Sequence, residues 1–415
     1  MIDTSSKSLL LKFLQGAFLN VLIRFKGLIY LPLLVNFLSK EEVGSITYWL
    51  SLSSLLAGVL LLSLPDSSNK YILQSRDPLP IIGTIQTFAL TIGTVCIFAV
   101  ISFIFFSKAA FETRVLVICV SLLTLAKCLN KTSIFVFQVY QRNKYVLFSQ
   151  FLIEYGSLVI IVAYLFFSTE REPQAVVMLT VLAYILVGTW LHKLLRNDFP
   201  WKITFEPSTF KSLIRTAVYL MPSVYALLII QNADFIIIER LIGKSTLAEY
   251  GFAFSLASIV SGLSMAVTFF WYSSAVVMEI DKLKSLFRKL QSIGLCLSVV
   301  VFTFFYLITE PLIRLINNEY AIAAMFILPI TMGLYLNVLS QISIGVLYRA
   351  GKEHITFGIL TFSAAVNIAL NIYTIPTFGA IAAAYTTFFT YFLIYFFTLI
   401  ATIFYFRSGK NLLAG

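Results

Sequence analysis

The stretch Ile81-Ile-Gly-Thr-Ile-Gln-Thr-Phe-Ala-Leu-Thr-Ile-Gly-Thr-Val-Cys-Ile-Phe-Ala-Val-Ile-Ser-Phe-Ile-Phe-Phe106 runs 26 residues without one charged side chain. As a helix it reaches farther than the roughly 30 Å of a bilayer's hydrocarbon core. It is continuously apolar, whereas the strands of a membrane barrel alternate faces over about ten residues, so a barrel is disfavoured. Comparable runs recur near 9–38, 44–64, 113–138, 146–167, 174–192, 212–238, 248–276, 291–308, 321–347, 354–374 and 381–405. The pattern predicts an all-α integral membrane protein of about twelve transmembrane helices.

Composition agrees: of 415 residues 59% are hydrophobic and only 12% charged, with mean hydropathy +0.92. Lys and Arg between the runs are unevenly placed, nineteen on the side that includes both termini and seven on the other. The positive-inside bias therefore predicts cytoplasmic termini. It also accounts for the net charge of +11 by topology and anionic lipid, so no nucleic-acid partner is expected. The first run is too long for a signal-peptide core and lacks a small-residue cleavage site, so it is expected to be retained as the first helix. Cys96, Cys119, Cys128 and Cys296 all fall inside predicted spans without metal-ligand spacing. They read as small apolar residues.

The longest connectors, 193–211 and 277–290, follow the sixth and eighth spans. The first divides the chain into an expected N-lobe (1–200, helices 1–6) and C-lobe (201–415, helices 7–12). An internal echo supports this division: Ser51-Leu-Ser-Ser-Leu-Leu-Ala-Gly58 is similar to Ser255-Leu-Ala-Ser-Ile-Val-Ser-Gly262, each in the second span of its half. Two copies of even span number enter from the same side, which implies a pseudo-two-fold axis along the membrane normal.

Ionisable residues within spans demand a reason, because each costs roughly 2.5–3.5 kcal/mol at a helix centre on insertion scales. They are Arg24 and Lys26 in the first span, Lys127 and Lys131 in the fourth, Glu154 in the fifth and Asp234 in the seventh. Lys127 and Lys131, four apart, share a helix face. The four cations are candidates to line a central anion-binding cavity. Glu154 and Asp234 fit two roles equally, as charge partners of those cations or as ion-coupling groups. Gly243-Lys244-Ser245 resembles the end of a phosphate-binding loop, but Ile238 stands where its first glycine belongs. Direct ATP chemistry, a metal centre and a bound cofactor are not expected, and the chain does not read as an enzyme.

Asn367-Ile-Ala-Leu-Asn371-Ile-Tyr-Thr-Ile-Pro376-Thr-Phe-Gly379-Ala-Ile-Ala-Ala-Ala384 resembles the C-terminal pattern of the polysaccharide-transporter branch of the multidrug/oligosaccharidyl-lipid/polysaccharide (MOP) exporter superfamily. Ala382 stands where a second glycine is usual. Arg24-Phe, Leu31-Pro32-Leu-Leu, Glu41-Glu42-Val43-Gly44 and Asn232-Ala-Asp234-Phe-Ile-Ile-Ile are similar to the same branch. In size and composition the chain is most like the Wzx-type flippases of bacterial O-antigen and capsule pathways.

The resemblance implies two six-helix lobes around a cavity that opens alternately to each side of the bacterial inner membrane. Its cargo would be an undecaprenyl-diphosphate-linked oligosaccharide repeat unit, and Arg24 would be a cavity-facing arginine on the first helix. H+ or Na+ stay open as coupling ions, and a polysaccharide polymerase and a chain-length regulator are the implied pathway partners. One alternative is an ion-coupled multidrug exporter of the same fold, against which the excess of intramembrane cations argues. Another is a membrane polysaccharide polymerase, against which the short outward loops argue.

Overall fold

The computed structural model describes the chain except residues 1–22, 24, 28, 107–110, 141, 265, 266, 268–270, 273, 274, 276, 277 and 409–415. It is 91% helical, and among the described residues there is no strand. Among the described residues eleven helices are long and apolar enough to cross a membrane, and a shorter apolar helix, α1, covers Phe25–Phe37. In chain order there follow α2 (Lys40–Leu60), α3 (Leu64–Gln74), α4 (Leu79–Phe106), α5 (Phe111–Val139), α6 (Asn143–Phe167), α7 (Pro173–Asp198) and α8 (Pro207–Leu241). Then come α9 (Lys244–Ala257), α10 (Ile280–Ile316), α11 (Ala324–Arg349), α12 (Glu353–Phe378) and α13 (Ala380–Arg407). The all-α membrane architecture expected from hydropathy is the one observed.

Packing divides the chain into two compact units. One is Phe37–Ile236; the other, here the terminal unit, joins Met1–Asn36 to Ile237–Gly415. In the 37–236 unit α5 is the central element, packed by α2, α4, α6 and α7, with α6 also against α7 and α2 against α7. The terminal unit repeats this scheme pair for pair: α11 is packed by α9, α10, α12 and α13, with α12 also against α13 and α9 against α13. The second helix of each set, α4 or α10, is the most open to its surroundings. Phe98, Phe103 and Phe105 on α4 and Val299, Val300 and Phe304 on α10 are accordingly exposed apolar residues. In a bilayer such faces meet lipid, which is as apolar as they are.

Local sequence explains the ends. Ser39 and Glu42 form a capping box at the start of α2, Glu42 Oε2 accepting from Ser39 N at 2.8 Å and Ser39 Oγ from Glu42 N at 3.4 Å. The Glu41-Glu42-Val43-Gly44 motif is thus a helix-start signal, since the carboxylate satisfies an amide the helix cannot. The expected 277–290 connector is mostly helix, because α10 begins at Ile280. Its charged run hides a helical stripe, with Leu283, Phe287, Gln291 and Gly294 buried at spacings of four, four and three.

The second expected span, 44–64, is also longer than its hydropathy suggests. The helix continues to Leu73 as a membrane-length element, interrupted where Leu62 (φ 50°) and Ser63 (φ 54°) take left-handed conformations. Among the described residues these are the two positive-φ positions that are not glycine. Pro65 in the first turn of α3 explains the interruption, since proline has no N–H to continue α2 and suits a helix start.

Candidate functional site

The charged residues expected at mid-membrane are distributed over both units. Arg24 lies outside the described residues. Lys26, half-buried on α1 in the terminal unit, holds its ammonium 5.0 Å from the centroid of the Tyr30 ring, one turn along the same helix. Such a contact is worth about 0.5–1 kcal/mol where solvent reaches it.

Lys127 and Lys131 both project from α5, but their surroundings differ. Lys127 reaches α2, where Nζ donates to Ser53 Oγ (2.7 Å), Ser54 Oγ (2.8 Å) and the Leu50 carbonyl (3.2 Å). Both serine hydroxyls in turn donate to the Leu50 carbonyl. The Tyr184 ring of α7 lies 5.6 Å from the same ammonium. Three neutral acceptors and a π face therefore bind this cation to two neighbouring helices. Lys131, one turn later, is exposed.

Glu154, half-buried on α6, exerts its charge on Tyr184, so it shares a neighbourhood with Lys127. Asp234 on α8 is 2% exposed and stands two residues from Asn232, whose side chain donates to the Leu228 carbonyl at 2.9 Å. Both carboxylates are engaged by neighbours.

Two further carboxylates belong with these. Asp66, in the first turn of α3, is exposed, and the Lys131 charge acts on it. Hydropathy missed it because the second span was ended at residue 64; Leu64-Pro65-Asp66, a proline and an acid in a first turn, is the signal that a helix restarts there. Glu249 on α9 is 6% exposed and its charge acts on the buried Tyr320.

The asparagine motif near the C-terminus is a packing device. Asn371 Nδ2 donates to Asn367 Oδ1 (3.3 Å), and Asn367 Nδ2 to Thr390 Oγ1 (3.1 Å), which donates onward to the Thr386 carbonyl (2.8 Å). Both asparagines are wholly buried, so the ladder ties α12 to α13. A second device occurs in each unit. In one, Gln86 of α4 donates to Ser133 Oγ of α5 (3.2 Å) and accepts from Thr132 Oγ1 (3.0 Å). In the other, Gln291 of α10 donates to the Leu339 carbonyl (3.2 Å) and Ser343 Oγ (3.3 Å) of α11 and accepts from Tyr395 (3.3 Å). Each glutamine is buried and joins the second helix of its set to the central one.

Residues 13–274 match the family described as "Polysaccharide biosynthesis protein", and 221–373 match MatE. An uncharacterized membrane protein of Methanocaldococcus jannaschii, MJ1068, is 26% identical over 235 residues, 54% of this chain and 44% of that protein. The chain thus spans under half the length of this curated relative. Among solved structures, the lipid II flippase MurJ in an inward closed conformation is similar with TM-score 0.73 at 15% identity, over 96% of this chain and 89% of that one. A multidrug resistance MATE transporter of the MOP superfamily gives 0.71 at 13% identity, over 96% of this chain and all of that one. A MOP superfamily transporter from Pyrococcus furiosus gives 0.56 at 11% identity, over 97% and 95%. At these identities the likeness establishes the fold. The family match, covering well over half of the residues, establishes the kinship: the chain belongs to the polysaccharide biosynthesis protein family.

Proposed function

We propose that this protein flips undecaprenyl-diphosphate-linked oligosaccharide repeat units, of O-antigen or capsule type, from the cytoplasmic to the periplasmic leaflet of a bacterial inner membrane by alternating access. The observation that carries the reading is the pair of cations one turn apart on the central helix of the 37–236 unit, Lys127 and Lys131. A sugar-diphosphate headgroup cannot cross hydrocarbon unaided, and cations in a low dielectric are its natural complement. Arg24 and Lys26 are further candidates to bind the diphosphate. Glu154 and Asp234 serve as their charge partners or as sites for a coupling ion. The transport lobes are 1–200 and 201–415, and both termini face the cytoplasm. The likeness to a lipid II flippase supports a lipid-linked cargo.

An inside-negative potential contributes about 2.3 kcal/mol per charge per 100 mV to an anion moving outward, which favours export. The MatE match at 221–373 keeps a multidrug exporter as the second reading. Purified protein in liposomes separates the two. A flippase exposes a fluorescent prenyl-diphosphate-linked sugar to a membrane-impermeant quencher in the outer leaflet. Efflux of cationic dyes with no movement of that lipid would refute it.

A further inference from the structure

The central helix of the terminal unit, α11, carries a polar stripe of its own. Asn337, Gln341, Gly345 and Tyr348 follow one another at spacings of four, four and three, which keeps them on one side of the helix. The stripe starts near the middle of α11 and rises about 16 Å along it. Two aromatic side chains are fastened to it. Gly345 makes the room, since a Cβ there would lie 2.6 Å from Trp271 Cδ1 and 2.8 Å from Tyr272 Cδ1. Trp271 Nε1 donates to the Ile342 carbonyl (2.7 Å), and the Tyr272 hydroxyl donates to Gln341 Oε1 (2.8 Å). The Tyr348 ring, 37% exposed, stands edge-on to the Tyr272 ring with centroids 5.8 Å apart. Gln341 Nε2 donates in turn to Asn337 Oδ1 at 3.3 Å. Both amide oxygens are therefore held from within the unit, which fixes the two amide planes.

The amide nitrogens keep donors to spare. Among the described residues nothing accepts from Asn337 Nδ2, and Gln341 Nε2 has one acceptor for two N–H groups. Both residues are half-buried. The clamp residue Gln291 shows what a purely packing amide looks like: it is 6% exposed and bonded at both its nitrogen and its oxygen. Unspent donors at mid-helix are costly against lipid, so a face that keeps them lines a polar space. Neutral donors in fixed directions beside an exposed phenol ring complement a neutral polyol, whose hydroxyl oxygens accept from the amides while an apolar ring face lies on the aromatic. We infer that Asn337, Gln341 and Tyr348 form a subsite for the sugar part of the cargo, Asn337 Nδ2 and Gln341 Nε2 donating to sugar hydroxyls and Tyr348 supporting a pyranose face. The inference rests on the flippase reading and deepens it, separating recognition of the sugar from recognition of the diphosphate. The length of the stripe suits a chain of sugars better than a single ring.

The test uses the full-length protein in detergent with two probes, farnesyl diphosphate and the same lipid carrying three linked N-acetylglucosamine units, with Kd read by calorimetry. Wild type is expected to bind the glycosylated probe at least tenfold more tightly. Asn337→Ala, or Asn337→Ser should the first not fold, is expected to weaken the glycosylated probe about tenfold, as the loss of one or two hydrogen bonds implies, and to leave farnesyl diphosphate unchanged. Tyr348→Leu is expected to do the same, and Tyr348→Trp to retain the preference. Equal binding of the two probes by wild type, a preference that survives in Asn337→Ala and Tyr348→Leu, or a parallel loss for both probes overturns the subsite and leaves the flippase reading standing. If wild type binds neither probe, the flippase reading itself falls and the subsite with it.

Discussion

When α5 and α11 are aligned on their clamp serines, Ser133 on Ser343, Lys127 falls on Asn337 and Lys131 on Gln341. The same face of the central helix thus carries two ammonium groups in one unit and two amides in the other. The amides are closed on themselves: Gln341 Nε2 donates to Asn337 Oδ1 at 3.3 Å, and Tyr272 donates to Gln341 Oε1 at 2.8 Å. From Ala324 to Tyr348, α11 has no ionisable side chain other than tyrosine. Since the helix pairings and glutamine clamps are shared, the scaffold does not require charge at this face. Charge there is an addition to the scaffold, and the proposed function assigns the cargo chemistry to it, with α11 as the neutral counterpart.

Exchanging the two faces tests that difference most severely. Lys131→Gln, which copies α11, is expected to cut complementation of a flippase-null strain more than tenfold at unchanged protein level. Gln341→Lys is not expected to restore it in the same chain. Equal activity of wild type and Lys131→Gln would mean that the charge difference between the units has no functional content.

Lys127→Ala should behave differently from its neighbour, because it strips the ammonium from a three-acceptor cage joining α5 to α2. A loss of about 2 kcal/mol is expected for a charged hydrogen-bonded group. The readout is a lower midpoint of thermal aggregation for the purified protein, with Lys127→Arg recovering part of it. An unchanged midpoint would show that the cage holds nothing together.

The clamps should instead be interchangeable. Gln86→Leu and Gln291→Leu are each expected to cost about 0.6–1.7 kcal/mol, the range of interhelical polar contacts in membranes. A loss at one site with none at the other, measured in the same melting assay, would break the repeat at its best-matched point.

Much of this architecture is legible in the residues. Continuous apolar runs are unmistakable because a bilayer demands them. Pro65 marks the restart, but the left-handed backbone at Leu62-Ser63 is not legible, since that region is normally signalled by glycine. That gap hid Asp66, which hydropathy left in a loop. The start of α10 was hidden by its charged run, whose buried stripe is visible only at helical spacing. The partners of Lys127 were unreadable for another reason: Ser53 and Ser54 lie more than seventy residues away, and only packing brings them to α5.

The smallest expected effect concerns the interruption itself. Ser63→Gly removes a left-handed side-chain penalty of roughly 1–2 kcal/mol but adds unfolded-chain entropy worth about 0.5–1 kcal/mol. The melting midpoint should therefore rise slightly or stay level, and a fall beyond about 2 °C would show that the hydroxyl contributes to packing.

That pair of left-handed residues also determines how stiff the joint is. A glycine joint can swing through both halves of the backbone map, whereas leucine and serine are confined at positive φ to one narrow basin. The Val59 carbonyl, which an unbroken helix would offer to the Ser63 amide, is already occupied by the Leu62 amide and the Tyr225 hydroxyl, each at 3.1 Å. The joint is consequently an elbow of set angle, and α3 moves with α2 as one bent rod.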